Sequence, residues 1–131
     1  MAASSGPVPP RRGTLLRLLK PHRVAERAVG RRHVVEFEGE LDLASVADLE
    51  RALARAAEGS PRELWVDLTS TVFMDCAGVH CLLRAQAVSA QHRRRFAVVC
   101  GGGPVRRVLA LTGADRQLDL YASRAAAHRA A

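Results

Sequence analysis

The sequence predicts an α/β fold: a mixed β-sheet of about five strands, with three crossover helices on one side and a short C-terminal helix. Short apolar runs alternate along the chain with stretches whose apolar residues recur at helical spacing, which is typical of βαβ units. The length of 131 residues is that of one domain, so these units should build one sheet joined by right-handed crossovers.

The first two strands are predicted to form a hairpin around Gly30, with one strand at Arg23–Val29 and the other at His33–Leu41. Val35 and Phe37 alternate with residues of the other face, so one face of the second strand should be apolar and the other polar.

The first helix should follow the loop at 39–44 and run to about Glu58, where Gly59-Ser60-Pro61 ends it. Asp42 or Ser45 can cap this helix, because a short polar side chain accepts the unpaired N–H groups of a first helical turn.

The central stretch, Glu63–Arg84, is predicted to form a buried strand, a loop and a second helix. The apolar run from Leu64 to Leu68 suits a strand that is covered on both faces. Asp75 is a good N-cap residue, and it places Cys76 in the first turn of the helix. Since the positive end of a helix dipole favours an anion, this position suits a thiolate, or a phosphate on a hydroxyl residue.

The last third should add a strand at Phe96–Cys100, a third helix that begins at Pro104, a strand at Leu118–Ala122 and an Ala-rich helix after it. Pro is common at the first helical position, and Gly113 suits the residue just beyond the end of the third helix.

Two motifs between these elements allow a binding role. Arg93-Arg94-Arg95 could contact a phosphate or an acidic partner, but we favour a solvated helix end. The Gly101–Gly103 run lies between a strand and a helix, where glycines can cradle a phosphate. It has neither the Lys-Ser/Thr ending nor the GxGxxG spacing of nucleotide-binding loops, so we predict no nucleotide site there.

The net charge of +7 is concentrated in the first 32 residues. Residues 1–32 hold eight basic side chains against Glu26 alone, and the rest of the chain holds 12 of each sign. A nucleic-acid-binding domain would carry its basic patch on the fold, so we expect no direct contact with nucleic acid. The chain divides into a basic, disordered leader at 1–22, a domain at 23–124 and an Ala-rich tail at 125–131.

Within the leader, residues 14–21 hold four leucines together with Arg17 and Lys20. This segment could be a short helix or an extra strand. It could serve as a membrane-surface or nucleic-acid arm, but we favour packing of its leucines on the edge of the domain.

The sequence offers no catalytic or metal-binding set. Its five histidines show no HExxH spacing, and no Cys-x-x-Cys pair is present. Cys76 and His80 could pair as nucleophile and base, but nothing supplies an oxyanion hole. Three cysteines and the lack of an apolar membrane span or signal peptide indicate a cytoplasmic protein. We expect no enzymatic activity, no cofactor and no metal.

Three segments resemble the STAS domain family of anti-sigma factor antagonists. Phe73–Val79 (FMDCAGV) is similar to the family's phosphorylation loop: an apolar pair, Asp, Ser, a small residue, Gly and an apolar residue. Gly39–Ala44 (GELDLA) is similar to the segment before the family's first helix, whose Asp lies near that loop. Val105–Asp115 resembles its third helix with a Leu-Thr-Gly ending. In the family the Ser after the loop Asp accepts a phosphate, and here that position is Cys76.

The resemblance implies a monomeric anti-sigma factor antagonist that regulates transcription in a stress response. Such a protein binds an anti-sigma factor of the GHKL serine-kinase type and so frees a sigma factor. The partner-binding residues that the resemblance implies are Asp42, Met74, Asp75, Cys76, Ala77, Gly78 and His80. The alternative functions are a STAS scaffold or sensor subunit of a larger stress-signalling complex, and a thiol-based redox enzyme or switch.

A cysteine at the phosphorylated position interrupts the standard switch, which leaves three consequences open. The protein could stay permanently in its binding-competent form, which we favour. The switch could have moved to Thr69, Ser70 or Thr71. Cys76 could instead be a redox switch, with Cys100 as its resolving partner.

Overall fold

In the computed structural model, which describes residues 22–130, the chain begins with the predicted hairpin. Strand β1 (Arg23–Val29) pairs antiparallel with β2 (Arg32–Leu41), and Gly30 takes a left-handed backbone conformation in the turn, with φ of 61°. The predictions of disorder before residue 14 and of a leucine-rich segment at 14–21 lie outside the described residues.

The remaining elements, in chain order, are α1 (Val46–Glu58), β3 (Glu63–Asp67), β4 (Thr71–Met74), α2 (Cys76–Gln91), β5 (Arg95–Val99), α3 (Pro104–Leu111), a 3₁₀ turn (Ala114–Arg116), β6 (Asp119–Tyr121) and α4 (Arg124–Arg129). The strands form a six-stranded mixed sheet with the order β1-β2-β3-β5-β6, in which β4 pairs with the far end of β2. Strands β2, β3, β5 and β6 run parallel to one another, so the predicted class is confirmed.

Strand β4 is the sixth strand, and it lies where the sequence predicted only a loop. Its origin is the length of β2, whose ten residues extend beyond the five residues of β3. Because a strand end without a partner leaves backbone groups unpaired, Gly39–Leu41 of β2 take β4 as a parallel neighbour instead. The register shifts between Gly39 and Glu40, which marks a bulge at this junction.

Helices α1, α2 and α3 cover one face of the sheet, as predicted, and enclose the main core. Trp65 and Val34 belong instead to a smaller apolar cluster with Ala97, Val99 and Ala127. Ala127 of α4 is fully buried in this cluster, which accounts for the burial of Val34 on the face of β2 that was expected to be polar. The predicted boundary at residue 124 stays a prediction, although α4 packs on the sheet.

Arginine side chains hold α4 against the sheet face that carries the smaller apolar cluster, which we call the second face. Arg124 pairs with the buried carboxylate of Asp67 through Nε at 2.5 Å and also with Glu36. The guanidinium of Arg32 lies 4.0 Å from the centre of the Trp65 ring, a cation–π contact. Arg95 binds the backbone carbonyl of Ala127 at 3.2 Å.

The Arg93–Arg95 triplet is not the solvated helix end that the sequence suggested. Only Arg93 is exposed, in a left-handed turn with φ of 53°. Arg94 donates hydrogen bonds to the carbonyl oxygens of Pro61, at 3.0 Å, and Ala57, at 3.4 Å. Arg95 begins β5 and is partly buried, so two of the three arginines stabilise the fold. Both ends of α3 form as predicted, because Pro104 starts the helix and Gly113 lies just beyond its end with φ of 78°.

Candidate functional site

The ends of β2 and β4 lie side by side, which places two predicted site segments at one edge of the molecule. Glu40 is opposite Phe73 and Leu41 is opposite Met74 in the parallel ladder. The backbone N–H of Asp75 continues the ladder by donating to the Leu41 carbonyl at 3.1 Å. The loop that follows β2 and the start of α2 therefore meet in space. We call this edge the loop surface. It consists of residues 42–44 of the loop, Val72 and Phe73 of β4, and Asp75 and Cys76 at the start of α2.

The Asp42 turn is a rigid part of this surface. Oδ1 of Asp42 accepts hydrogen bonds from the backbone N–H groups of Ala44, at 3.1 Å, and Ser45, at 3.2 Å. The buried hydroxyl of Ser45 donates to the Glu40 carbonyl at 2.6 Å and locks the turn to the end of β2. Ser45 is the N-cap residue of α1 by position, but its side chain makes no cap bond to that helix. Hydrogen bonds within the loop thus hold Asp42 and Ser45 in place.

The start of α2 forms as the sequence predicts. Asp75 is the N-cap residue, and its Oδ1 accepts the N–H of Ala77 at 2.9 Å. Cys76 is the first helical residue and is exposed, so its thiol faces solvent at the positive end of the helix. A shallow depression of about 340 Å³ between Asp42, Leu43, Ala44 and Asp75 adjoins it.

Met74 and Gly78 support the loop surface from beneath. The Met74 side chain is 1% exposed and Gly78 is buried. A Cβ atom on Gly78 would stand 2.6 Å from Met74 Cγ and 2.9 Å from Leu41 Cγ, which is too close for any real Cβ. Glycine at this position therefore lets the first turn of α2 lie directly on the ends of β2 and β4.

The structure divides the seven predicted partner-binding residues into two groups. Asp42, Asp75 and Cys76 come together at the surface, and His80 is exposed one turn further along α2. Met74 and Gly78 are buried, so they position the site and do not offer side chains to a partner; Ala77 packs partly against the core.

Three apolar residues of the loop surface were not among the predicted site residues. Leu43 is 79% exposed, Val72 is 63% exposed and Phe73 is 47% exposed. Exposed large apolar side chains beside a hydrogen-bonded loop are candidates for contact with a partner, and each of these three belongs to the loop or the strand that forms this edge. The sequence held a partial signal, because Val72, Phe73 and Met74 form an apolar run in a stretch that was predicted to be a loop, where such a run is hard to bury entirely.

The three hydroxyl residues before the loop differ in accessibility. Thr71 is buried, and its hydroxyl donates to the Phe37 carbonyl at 2.8 Å. Thr69 and Ser70 are both exposed, and the Thr69 hydroxyl donates to Asp67 at 2.7 Å. Burial of Thr71 is incompatible with phosphorylation in the folded state.

Cys81 and Cys100 differ from Cys76 in being buried. Burial and the charge of Glu50 raise the pKa of Cys81 to about 12, against a smaller opposite effect of Arg84. Burial likewise raises the pKa of Cys100, although Arg106 opposes it. Because a buried neutral thiol is a poor nucleophile, Cys100 is a poor resolving partner for an exposed Cys76. Among residues 22–130, no group of three His, Cys, Asp or Glu is arranged to hold a metal ion.

None of the helices in the described part of the chain is long and apolar enough to span a bilayer.

Comparison with known proteins shows which proteins have a similar sequence and fold. A model described as "STAS domain" matches residues 23–127. The anti-sigma-F factor antagonist RsfB of Mycobacterium tuberculosis is 30% identical over 90 residues, which cover 69% of this chain and 73% of that protein. The crystal structure of an anti-sigma factor antagonist from Mycobacterium paratuberculosis is 27% identical, with a TM-score of 0.73 over 78% of this chain and 86% of that one.

The fold also matches the Bacillus cell fate determinant SpoIIAA in its phosphorylated form. That similarity has a TM-score of 0.63 and 19% identity, and it covers 83% of this chain and 100% of that chain. The resemblance noted in the sequence is confirmed by these matches.

Proposed function

Because the chain belongs to the STAS domain family, we propose that it is an anti-sigma factor antagonist that binds an anti-sigma factor and so frees a sigma factor. The observation that carries this proposal is the loop surface, where Asp42 and Asp75 lie beside the exposed Cys76. The similarity to two mycobacterial antagonists supports the same role. A sigma factor acts where RNA polymerase is, so the proposed place of action is the cytoplasm.

The proposed contact is a rigid surface and not a flexible loop. The carboxylates of Asp42 and Asp75 accept hydrogen bonds from backbone N–H groups, and Gly78 lets the start of α2 lie directly on the sheet. Since little ordering is needed on binding, such a surface loses little conformational entropy when a partner docks. Its exposed Leu43 and Phe73 would supply the apolar part of the contact.

We propose further that the partner is an anti-sigma factor of the GHKL serine-kinase type, and that this chain lacks the standard phosphorylation switch. A serine kinase transfers phosphate to a hydroxyl, and Cys76 has none. Thr71 is buried and the Thr69 hydroxyl is engaged by Asp67, so the exposed Ser70 is the better candidate of that stretch for a displaced switch. The protein is therefore proposed to stay in the binding-competent form, as a binding module and not an enzyme.

A negative charge at residue 76 should act on the partner and not on the fold. The positive end of α2 tolerates an added anion, so Cys76→Asp should fold normally. The new charge would lie beside Asp75 and Asp42, where it imitates the charge that phosphorylation adds and disfavours the contact.

The test is a pull-down from native cytosol with tagged wild type, Cys76→Ser and Cys76→Asp, with mass spectrometry of the captured proteins. A matched control is Ala87→Asp, which adds the same charge at an exposed position of α2 about 16 Å along the helix from residue 76. The proposal expects a GHKL-type anti-sigma factor with wild type, Cys76→Ser and Ala87→Asp, and none with Cys76→Asp. Failure of all four proteins to capture such a factor would refute the antagonist role and leave a scaffold function.

A further inference from the structure

We propose that the end of the sheet opposite the loop surface binds a small anion that carries two or more linked phosphate groups. The site is a cavity of about 610 Å³ between the β1–β2 turn and the loop that follows α1. Its lining includes Arg31, Arg32 and His33 from the turn and residues 59–62 from the loop. Because the loop surface lies at the other end of β2, the inference goes beyond the proposed function and does not depend on it.

The loops that lead into β2, β3 and β5 lie side by side at this end of the sheet. The backbone N–H of Arg62 donates to the Arg31 carbonyl at 2.9 Å, and the N–H of Arg95 donates to the Arg62 carbonyl at 3.1 Å. Parallel strands begin at the same end of a sheet, so arginines that are far apart in the sequence become neighbours here.

Three of these arginines carry positive charge that the described fold leaves uncompensated. Arg31 and Arg62 are exposed, and neither side chain forms an ion pair or a hydrogen bond with another residue of the described part of the chain. Arg93, in the loop before β5, is exposed and equally unpaired within residues 22–130. Like charges gathered in this way raise the local concentration of anions.

The acidic side chains near the cavity do not neutralise it. Glu63 accepts a hydrogen bond from Arg95 at 2.9 Å, and Glu26 accepts one from Arg55 at 2.7 Å. Glu58 ends α1 just before the loop, but it is not among the described residues that line the cavity, and no other acidic residue of that part is. The positive potential of the cavity is therefore retained.

The cavity is also short of hydrogen-bond acceptors. Arg32 Nε, which is always a donor, and His33 Nε2 are buried without a hydrogen-bond partner among the described residues. His33 Nε2 lies 3.7 Å from Glu26 Oε1, beyond hydrogen-bond distance, and Arg32 is held by His128 Nδ1 at 2.9 Å and by its stacking on Trp65. Buried donors without acceptors are costly, and phosphate oxygens are acceptors that pair well with guanidinium groups.

The size and lining of the cavity indicate linked phosphates. A single orthophosphate would fill only a small part of the cavity, whereas linked phosphates can contact Arg31 on the turn and Arg62 on the loop together. No Phe, Tyr or Trp of the described chain lines the cavity to stack a nucleic-acid base, and Trp65 is buried beneath Arg32. We therefore expect the site to recognise the phosphates of an inorganic oligophosphate or of a nucleoside diphosphate.

The test is isothermal titration calorimetry of the full chain with sodium pyrophosphate, sodium orthophosphate and adenosine diphosphate at matched ionic strength. Pyrophosphate should bind at least about tenfold more tightly than orthophosphate, because it can contact both arginines. Arg31→Gln and Arg62→Gln should each weaken pyrophosphate binding about tenfold. Arg107→Gln is the matched control, since it removes the same charge from an exposed position of α3 and should bind as wild type does.

The adenosine diphosphate titration distinguishes two sources of the phosphates. Affinity equal to that of pyrophosphate would support the site and include nucleoside diphosphates among its ligands. Binding of pyrophosphate alone would support the site and restrict it to inorganic oligophosphates. Thermal unfolding gives a second readout, because pyrophosphate should raise the Tm of wild type and leave that of an Arg31→Gln, Arg62→Gln double variant unchanged.

Equal affinity of wild type and the three single variants for pyrophosphate would overturn the inference, as would the lack of saturable binding below about 5 mM. A single-stranded oligonucleotide that binds more tightly than pyrophosphate, through the same arginines, would also overturn it, because this end of the sheet would then be a nucleic-acid surface. The titrations involve no anti-sigma factor, so their outcome and that of the pull-down are independent.

Discussion

Gly78 of α2 lies so close to Met74 of β4 that a Cβ atom on Gly78 would stand 2.6 Å from Met74 Cγ. Leu41 of β2 closes the same gap from the other side, at 2.9 Å. The first turn of α2 is thereby seated on two strand ends, and this contact determines where Asp75 and Cys76 emerge. A glycine in a helix usually costs stability, but here the absent side chain makes the site possible.

Replacing Gly78 by alanine should lower the free energy of unfolding by about 2 kcal/mol. Overpacking a core costs roughly 1 to 3 kcal/mol, and the two contacts at 2.6 and 2.9 Å place this site at the upper end, from which the better helix propensity of alanine returns about 1 kcal/mol. Urea unfolding followed by circular dichroism measures the change. Gly102→Ala is the matched control, since a Cβ there meets no atom within 4 Å. Equal stability of the two variants would contradict the close contact.

The order of strands and helices was predictable because the spacing of apolar residues within most elements is typical of either a strand or a helix. The apolar spacing of α1 and α3, the cap at Asp75 and the apolar run of β3 are local signals that the fold preserves. Strand β4 was not predictable in this way. Four residues are too few to show alternation, and their pairing depends on β2 extending past β3, which is a property of the assembled sheet.

The polar residues of the candidate site were predicted from the sequence, but its exposed apolar residues were not. Asp42 and Asp75 could be placed near each other only through the family resemblance, because 32 intervening residues separate them in the sequence. The exposure of Leu43, Val72 and Phe73, and the burial of Met74, depend on which face of an irregular strand meets the core. Likewise, the partial burial of Arg95 depends on the position of α4, and no local sequence pattern predicts that position.

Removal of the Asp75 cap should destabilise the start of α2. Asp75→Ala loses the hydrogen bond to the Ala77 N–H and should cost about 1 kcal/mol. Asp75→Asn keeps an acceptor and should retain most of this stability while removing the charge. Thermal unfolding of both variants, together with the pull-down of the partner, separates the two roles. Should Asp75→Asn prove as unstable as Asp75→Ala, the charge and not the cap would be what matters.

Thiol reactivity should single out Cys76. In the native protein we expect it to react with a thiol reagent at least about 100-fold faster than Cys81 or Cys100, because the buried thiols need local unfolding to react. In denaturant all three should react alike. The raised pKa of Cys81, about 12, adds to its protection. Cys76→Ser serves as the control, and rapid labelling of that variant under native conditions would show that a second thiol is accessible.

Glu63 should make stability depend on pH at the second face of the sheet. Its Oε1 accepts hydrogen bonds from Trp65 Nε1 and Arg95 Nη1, each at 2.9 Å. Burial alone would raise the pKa of Glu63, but the hydrogen bonds from Trp65 and Arg95 outweigh it, so the pKa is lowered from 4.5. A carboxyl whose folded pKa is depressed contributes stability above its unfolded pKa and loses it as pH falls through the folded value.

Glu63→Gln should therefore be less stable than wild type by about 1 kcal/mol near neutral pH, a modest value because Glu63 is partly exposed. The difference should shrink as the pH falls below 4.5, because the unfolded chain takes up this proton first and the folded protein, in which the pKa is lowered, takes it up at a lower pH. Urea unfolding from about pH 7 to about pH 3 measures it. Glu58→Gln, at the exposed end of α1, is the control for general charge effects and should show little difference. A Glu63→Gln penalty that stays constant across this range would mean that packing, and not the ionised carboxylate, stabilises this face.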